Sequence, residues 1–159
     1  MRRRCRRPCG GCGGIILAEG RDRLVGIAMS VVAEIVVVAF ALFLFGLTAV
    51  SFARPAVAER FFAAFASSAR THYTEQAVRL LVGAALIVAS PAMWQAALFW
   101  VIGWGVVISS VALMLAPWRW HDRLGERVRP ILIPRVKLFA VGLFAFGALL
   151  LYGVFGIHE

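Results

Sequence analysis

The chain has 159 residues, of which 62% are hydrophobic, and a formal charge of +9; its mean hydropathy is +0.86. An ordinary soluble domain is about 45–50% apolar, and a domain of this length must leave much of its surface in water. A water-soluble fold is excluded, and the positive charge has to be read against a membrane.

The positions of the cations settle that reading. Seven of the 17 Lys and Arg residues (Arg2, Arg3, Arg4, Arg6, Arg7, Arg21 and Arg23) lie within the first 28 positions, and the other ten flank hydrophobic segments. Lys and Arg at such flanks set topology and meet anionic lipid headgroups. Nucleic acid as a partner would need a basic stripe with interleaved aromatics on a polar face, and none is spelled here.

Residues 1–28 begin MRRRCRRPCGGCGG, rich in Arg, Gly and Cys. No adequate apolar run follows before Arg21, so this is not a secretory signal. Its glycines and proline oppose an amphipathic presequence helix. The segment is expected to be disordered, or to precede a native start at Met29. A single transmembrane domain then occupies 29–159. Cys5, Cys9 and Cys12 spell C-x3-C-x2-C, which resembles the cluster-binding motif of radical S-adenosylmethionine enzymes. That resemblance implies an iron–sulfur site, but it covers eight residues only, and such a family needs a large barrel-type domain. No cofactor or metal is expected.

The first span is predicted from Ser30 to Phe52, long enough to cross with some tilt, and Glu34 is its only charge. Arg54-Pro55 ends it. Residues 55–70 read as an interfacial helix in loop one, with Ala58, Phe61, Phe62 and Phe65 on one side. From Leu80 no formal charge appears until Arg119. A continuous helix over that stretch would be about 58 Å long, roughly twice the hydrocarbon thickness. It must therefore fold back, and Ser90-Pro91 with Trp94 and Gln95 is the natural turn. Spans are predicted at 74–91 and 96–117. A basic aromatic connector follows over 118–135, and the last span covers 136–157. The fold class is all-α integral membrane, with four transmembrane helices.

Positive residues favour the cytoplasmic side. Loop one carries Arg54, Arg60, Arg70 and Arg79; loop three carries Arg119, Arg123, Arg127, Arg129, Arg135 and Lys137. The central turn and the C-terminal tail carry none. Loops one and three are expected in the cytoplasm. If the chain starts at Met29, nothing opposes this asymmetry.

Three groups of residues could carry function. Glu34 is an intramembrane acid, and its VVAEIVVV context resembles the first helix of the small multidrug transporters in the Ala-Glu-apolar triplet. The resemblance implies a proton-coupled carrier using Glu34. Read from the residues, Glu34 is an interface-level acid that orients the N-terminus. His72, Glu75 and Arg79 share one helical face at i, i+3 and i+7, and Glu75 to Arg79 is the favourable order for an ion pair. They read as a structural polar cluster, with proton transfer as the sharper alternative. Trp118, Arg119, Trp120, His121 and Arg123 read as an aromatic belt with snorkelling cations, or as a headgroup or partner contact. A small-residue stripe in the third span (Gly105, Ser109, Ala112, Ala116) is expected to pack against Ala85 and Ala89 of the second.

No nucleophile–base–acid set, paired core acids, phosphate loop or complete metal site is spelled. The chain therefore reads as a non-enzymatic accessory or docking protein of a bacterial inner membrane. Anionic headgroups, and a membrane-protein partner or a second copy, are its expected contacts. The proton-coupled transporter is the alternative.

Overall fold

The computed structural model describes residues 12–65, 68–116, 123, 127 and 135–156. Five α-helices account for nearly all of them: α1 Cys12–Ala53, α2 Pro55–Phe65, α3 Ala69–Ala89, α4 Ala96–Leu115 and α5 Val136–Phe155. Four of these (α1, α3, α4 and α5) are long and apolar enough to cross a membrane. The protein is an all-α, multi-pass membrane bundle with a short helix in loop one.

Helix α1 is one continuous rod of 42 residues, about 63 Å long or roughly twice the hydrocarbon thickness. It begins well before Ser30. Residues 20–29 continue the span as exposed helix, beyond the level where Ala33 joins the core. The chain then turns at Arg54, and Pro55 occupies the first turn of α2, where its missing N–H costs nothing. Along α2, Ala58 is fully buried while Arg60 is exposed. Phe61 approaches Phe43 of α1 at 6.4 Å between ring centroids. This two-sidedness suits a helix lying at the headgroup level.

Helix α3 starts five residues before the expected position, because Ser68 caps it. The Ser68 side chain accepts from the Thr71 backbone N–H, and Thr71 Oγ1 accepts from the Ser68 N–H at 3.2 Å. This is a capping box with threonine where glutamate is usual. At the far end Ser90-Pro91-Ala92 tightens into a 3-10 turn, with Ser90 Oγ donating to Ile87 O at 2.8 Å. Gln95 then takes a left-handed conformation (φ 59°) that starts α4. The hairpin falls where the sequence places it.

The spans pack as an antiparallel set, with α3 on α4, α1 on α3, and α5 on α1. Two close approaches fix the α3–α4 crossing: a Cβ at Gly83 would stand 3.1 Å from Gly103 O, and one at Gly103 would stand 3.0 Å from Gly83 O. Gly105 and Ala112 of the expected stripe are exposed, and nothing lies within 4 Å of a Cβ on Gly105. The packing face of α4 is thus rotated away from that stripe, onto Gly103 and Ser110. Ala85 and Ala89 lie in the core shared with Ala33, Val37 and Ala41 of α1. Helix α5 closes on α1 through Gly147, beside Ala41 O and the Phe45 ring. Thr48 Oγ1 adds a hydrogen bond to Ala140 O across the same pair at 3.2 Å. The hairpin end is sealed by Phe99, fully buried against Gly153, and by Trp94 N–H donating to Gly153 O at 2.9 Å.

Candidate functional site

Buried polar side chains are unevenly distributed along the bundle. Thr48, Ser51, His72, Gln76 and Ser110 are buried, and all five stand near the ends of helices that open onto loops one and three. At about 1.5 Å per residue, Ser51 and Thr48 lie about 3 and 8 Å from the end of α1, and Ser110 about 8 Å from the end of α4. By the same measure His72 and Gln76 lie about 5 and 10 Å inside the start of α3. A polar layer thus crosses one end of the bundle. At the hairpin end, Ser90 is the buried polar residue, and its hydroxyl is used by the turn.

His72, at the base of α3, has its Nε2 3.2 Å from Leu113 O. A carbonyl only accepts, so Nε2 is the donor in this bond. Leu113 belongs to the last turn of α4, where carbonyls have no partner within their own helix. His72 therefore caps α4 from the neighbouring helix, at the end where the helix dipole favours a donor.

One turn further on, Glu75 Oε1 is 3.7 Å from Arg79 Nη1. The other guanidinium nitrogen, Nη2, reaches Ser109 Oγ of α4 at 3.5 Å, so the ion pair leans onto the neighbouring helix. Ser109 lies about 9 Å inside the end of α4, and that helix is itself about as long as the hydrocarbon is thick. Side chains on a helix tilt toward its N-terminus, which for Arg79 is the loop end. The guanidinium can thus snorkel toward the headgroups while Glu75 neutralises it. A lone charge at mid-membrane would cost about 2.5–3.5 kcal/mol, against only about 0.3–0.5 kcal/mol gained by an exposed pair. Arg79 starts about 15 Å inside α3, so the pair alone does not offset that cost; the reach of its side chain toward the loop end and its contact with Ser109 have to supply the rest.

Gln76, which lies between Glu75 and Arg79, carries no mark of its own in the sequence. It is fully buried, and neither amide atom makes a hydrogen bond. Its helical offset from His72, four residues, was the available signal. Ser110 was missed altogether, since a serine inside an apolar run carries no periodic mark.

The other candidates lie elsewhere. Glu34 is half-buried near the hairpin end, about 28 Å along α1 from Ala53, so it shares no site with His72. Arg123 is exposed in the α4–α5 connection. Trp118, Arg119, Trp120 and His121 lie outside the described residues, as do Cys5 and Cys9; Cys12 is the first residue of α1. Among the described residues, no three His, Cys, Asp or Glu side chains gather as a metal site would require.

The role of the α3 charges is open to a direct check. Glu75→Gln removes the countercharge of Arg79 and should cost about 1 kcal/mol or less, equivalent to a fall in Tm of about 2–4 °C for a chain of this size. Thermal unfolding in detergent, with copurifying partners scored per folded molecule, should show lower stability and unchanged binding. Full stability with lost binding would instead make Glu75 part of a ligand site.

No protein-family model, no curated protein and no solved structure matches this chain.

Proposed function

We propose that this is a non-enzymatic integral protein of a bacterial inner membrane, which docks a membrane-protein partner through the basic end of its bundle. One observation carries the reading: Arg54, Arg60, Arg70, Arg123, Arg127, Arg135 and Lys137 are all exposed, and all belong to loop one, loop three or the helix ends beside them. Among the described residues, the hairpin turn at the other end carries no cation, and the projecting start of α1 adds Arg21 and Arg23 there, with Asp22 between them.

Such a density of exposed cations has two physical consequences. Positive residues hold these loops in the cytoplasm, and each one near an anionic leaflet contributes about 1 kcal/mol of attraction. Anionic headgroups therefore fix the depth and tilt of the bundle. The same field selects a partner whose cytoplasmic edge is acidic, since complementary charge steers encounter and suppresses wrong pairings. The polar side chains beneath this surface serve the fold. His72 caps α4, Arg79 reaches Ser109, and Thr48 reaches Ala140. They hold the helix ends in fixed relation, so the cations above them form a defined pattern.

The test is copurification from native membranes at low and high salt. A partner held by exposed charges should be recovered at low salt and released as screening rises, while the bundle stays folded. Glu34→Gln should leave recovery unchanged, because Glu34 stands at the opposite end. A bundle that retains no partner at low salt, or loses proton-coupled flux with Glu34→Gln, would reject docking in favour of a carrier.

A further inference from the structure

The face that α3 turns to α4 changes character along its length. His72, Gln76, Arg79, Gly83 and Ile87 recur at helical spacing and so share that face. Toward the hairpin the contact is backbone on backbone. A Cβ at Gly83 would stand 3.1 Å from Gly103 O, and one at Gly103 would stand 3.0 Å from Gly83 O. Toward the loops the same two helices touch through long side chains. His72 Nε2 reaches Leu113 O at 3.2 Å, and Arg79 Nη2 reaches Ser109 Oγ at 3.5 Å, longer than an ordinary N–H···O bond.

Gln76 stands in this second half, about 10 Å along α3 from Gly83. It is fully buried, and neither Oε1 nor Nε2 has a hydrogen-bond partner. The hydroxyls of Ser109 and Ser110 on α4 do not answer it: both donate to Val106 O of their own helix, at 3.0 and 2.7 Å. A carboxamide enclosed in this way lacks the bonds that it makes in water. Each unmet group disfavours the enclosed arrangement by roughly 5- to 140-fold. Packing and the two side-chain bonds oppose that penalty, but hydrocarbon does not press the helices together.

We propose that α3 and α4 form a hinged pair, pinned at Gly83 and Gly103 and able to part at the loop end, and that Gln76 is the group that favours the parting. The closed arrangement is the one described above, with His72 on Leu113 and Arg79 on Ser109. In the open one Gln76, about 10 Å inside the start of α3, meets water from the headgroup level and regains its hydrogen bonds. Arg70 lies about 20 Å along α3 from the glycine crossing, so a small rotation there is magnified at the loop end. Opening changes the spacing between the start of α3 and the end of α4, which gives the charged surface above them two settings. The hinge is a property of the helix pair and does not depend on what the cations dock.

Distances between paired spin labels test it, measured by pulsed electron resonance on the full chain in nanodiscs with Cys5, Cys9 and Cys12 replaced by Ser. One pair, Arg70→Cys with Leu115→Cys, reports the loop end; the other, Val88→Cys with Val101→Cys, reports the hairpin end, and all four positions are exposed. The loop-end pair should give two distances and the hairpin pair one. Gln76→Leu fills similar volume without polar groups, and should shift the loop-end population at least 5-fold toward the shorter distance while raising Tm by a few degrees. Gln76→Met repeats the test with an unbranched side chain. A single loop-end distance in the parent would overturn the hinge. So would two distances whose proportions neither substitution changes, or a lower Tm in both variants.

Discussion

Gly103→Val should be among the most damaging single substitutions in the bundle. A Cβ at Gly103 would stand 2.8 Å from Ile87 Cγ1, 3.0 Å from Gly83 O and 3.1 Å from Ile87 N. Two of these three neighbours are backbone atoms of α3, so no side-chain rotation relieves the clash. The helices must separate, and with them goes the close packing that holds helices together in lipid, where no hydrophobic force presses them together. Overpacking a well-filled core costs about 1–3 kcal/mol, and a branched residue at this crossing belongs at the top of that range. Gly105→Val, two residues along the same helix, is the control: its Cβ would meet nothing within 4 Å. Thermal unfolding should show a large loss for the first and almost none for the second. Equal effects would mean that α4 packs on a different face.

The second large effect is expected at the other end. Phe99 is fully buried, and its ring lies so close to Gly153 that a Cβ there would collide with Cζ. Ring and glycine together join α4 to α5, beside the Trp94 hydrogen bond to Gly153 O. Phe99→Ala leaves a cavity at that junction. In water-soluble cores Phe→Ala costs about 3–5 kcal/mol; here part of the transfer contribution is missing, since lipid is as apolar as the core. A loss of about 3 kcal/mol is expected in denaturant or thermal unfolding. Gly153→Val should be at least as harmful, because it drives a side chain into the space of the ring. Restoring room with the double substitution Gly153→Val and Phe99→Ala should recover part of the loss, as coupled neighbours do.

These two contacts show where sequence reading succeeds and where it stops. The four spans follow from hydropathy, and the hairpin from the length of the uncharged run together with Ser90-Pro91. Sequence reading places the start of α3 five residues late, because a threonine in place of glutamate at Thr71 weakens the capping signal of Ser68. The face of α4 was not legible. A helix in lipid is apolar all round, so hydrophobic periodicity cannot orient it, and small residues occur on more than one face. Gly105 and Ala112 offered a regular stripe, yet Gly103 makes the crossing because Gly83 stands opposite it. The partner glycine is set by tertiary register, which one helix does not encode. Similarly, the spacing of His72, Glu75 and Arg79 marked one face of α3, whereas their connections to Leu113 and Ser109 depend on how α4 is rotated.

The proposed docking role requires the basic end of the bundle to face the cytoplasm. All four spans alternate in direction, so one terminus reports the whole arrangement: α5 ends beside the hairpin turn, where Gly153 meets Trp94. The most direct measurement is a pair of reporter fusions at Glu159, one active only outside the inner membrane and the other only within the cytoplasm. The outside reporter should be active and the cytoplasmic one silent, which puts Arg54, Arg60, Arg70, Arg135 and Lys137 on the cytoplasmic face. Activity of the cytoplasmic reporter with silence of the other would turn the cations outward and contradict cytoplasmic docking.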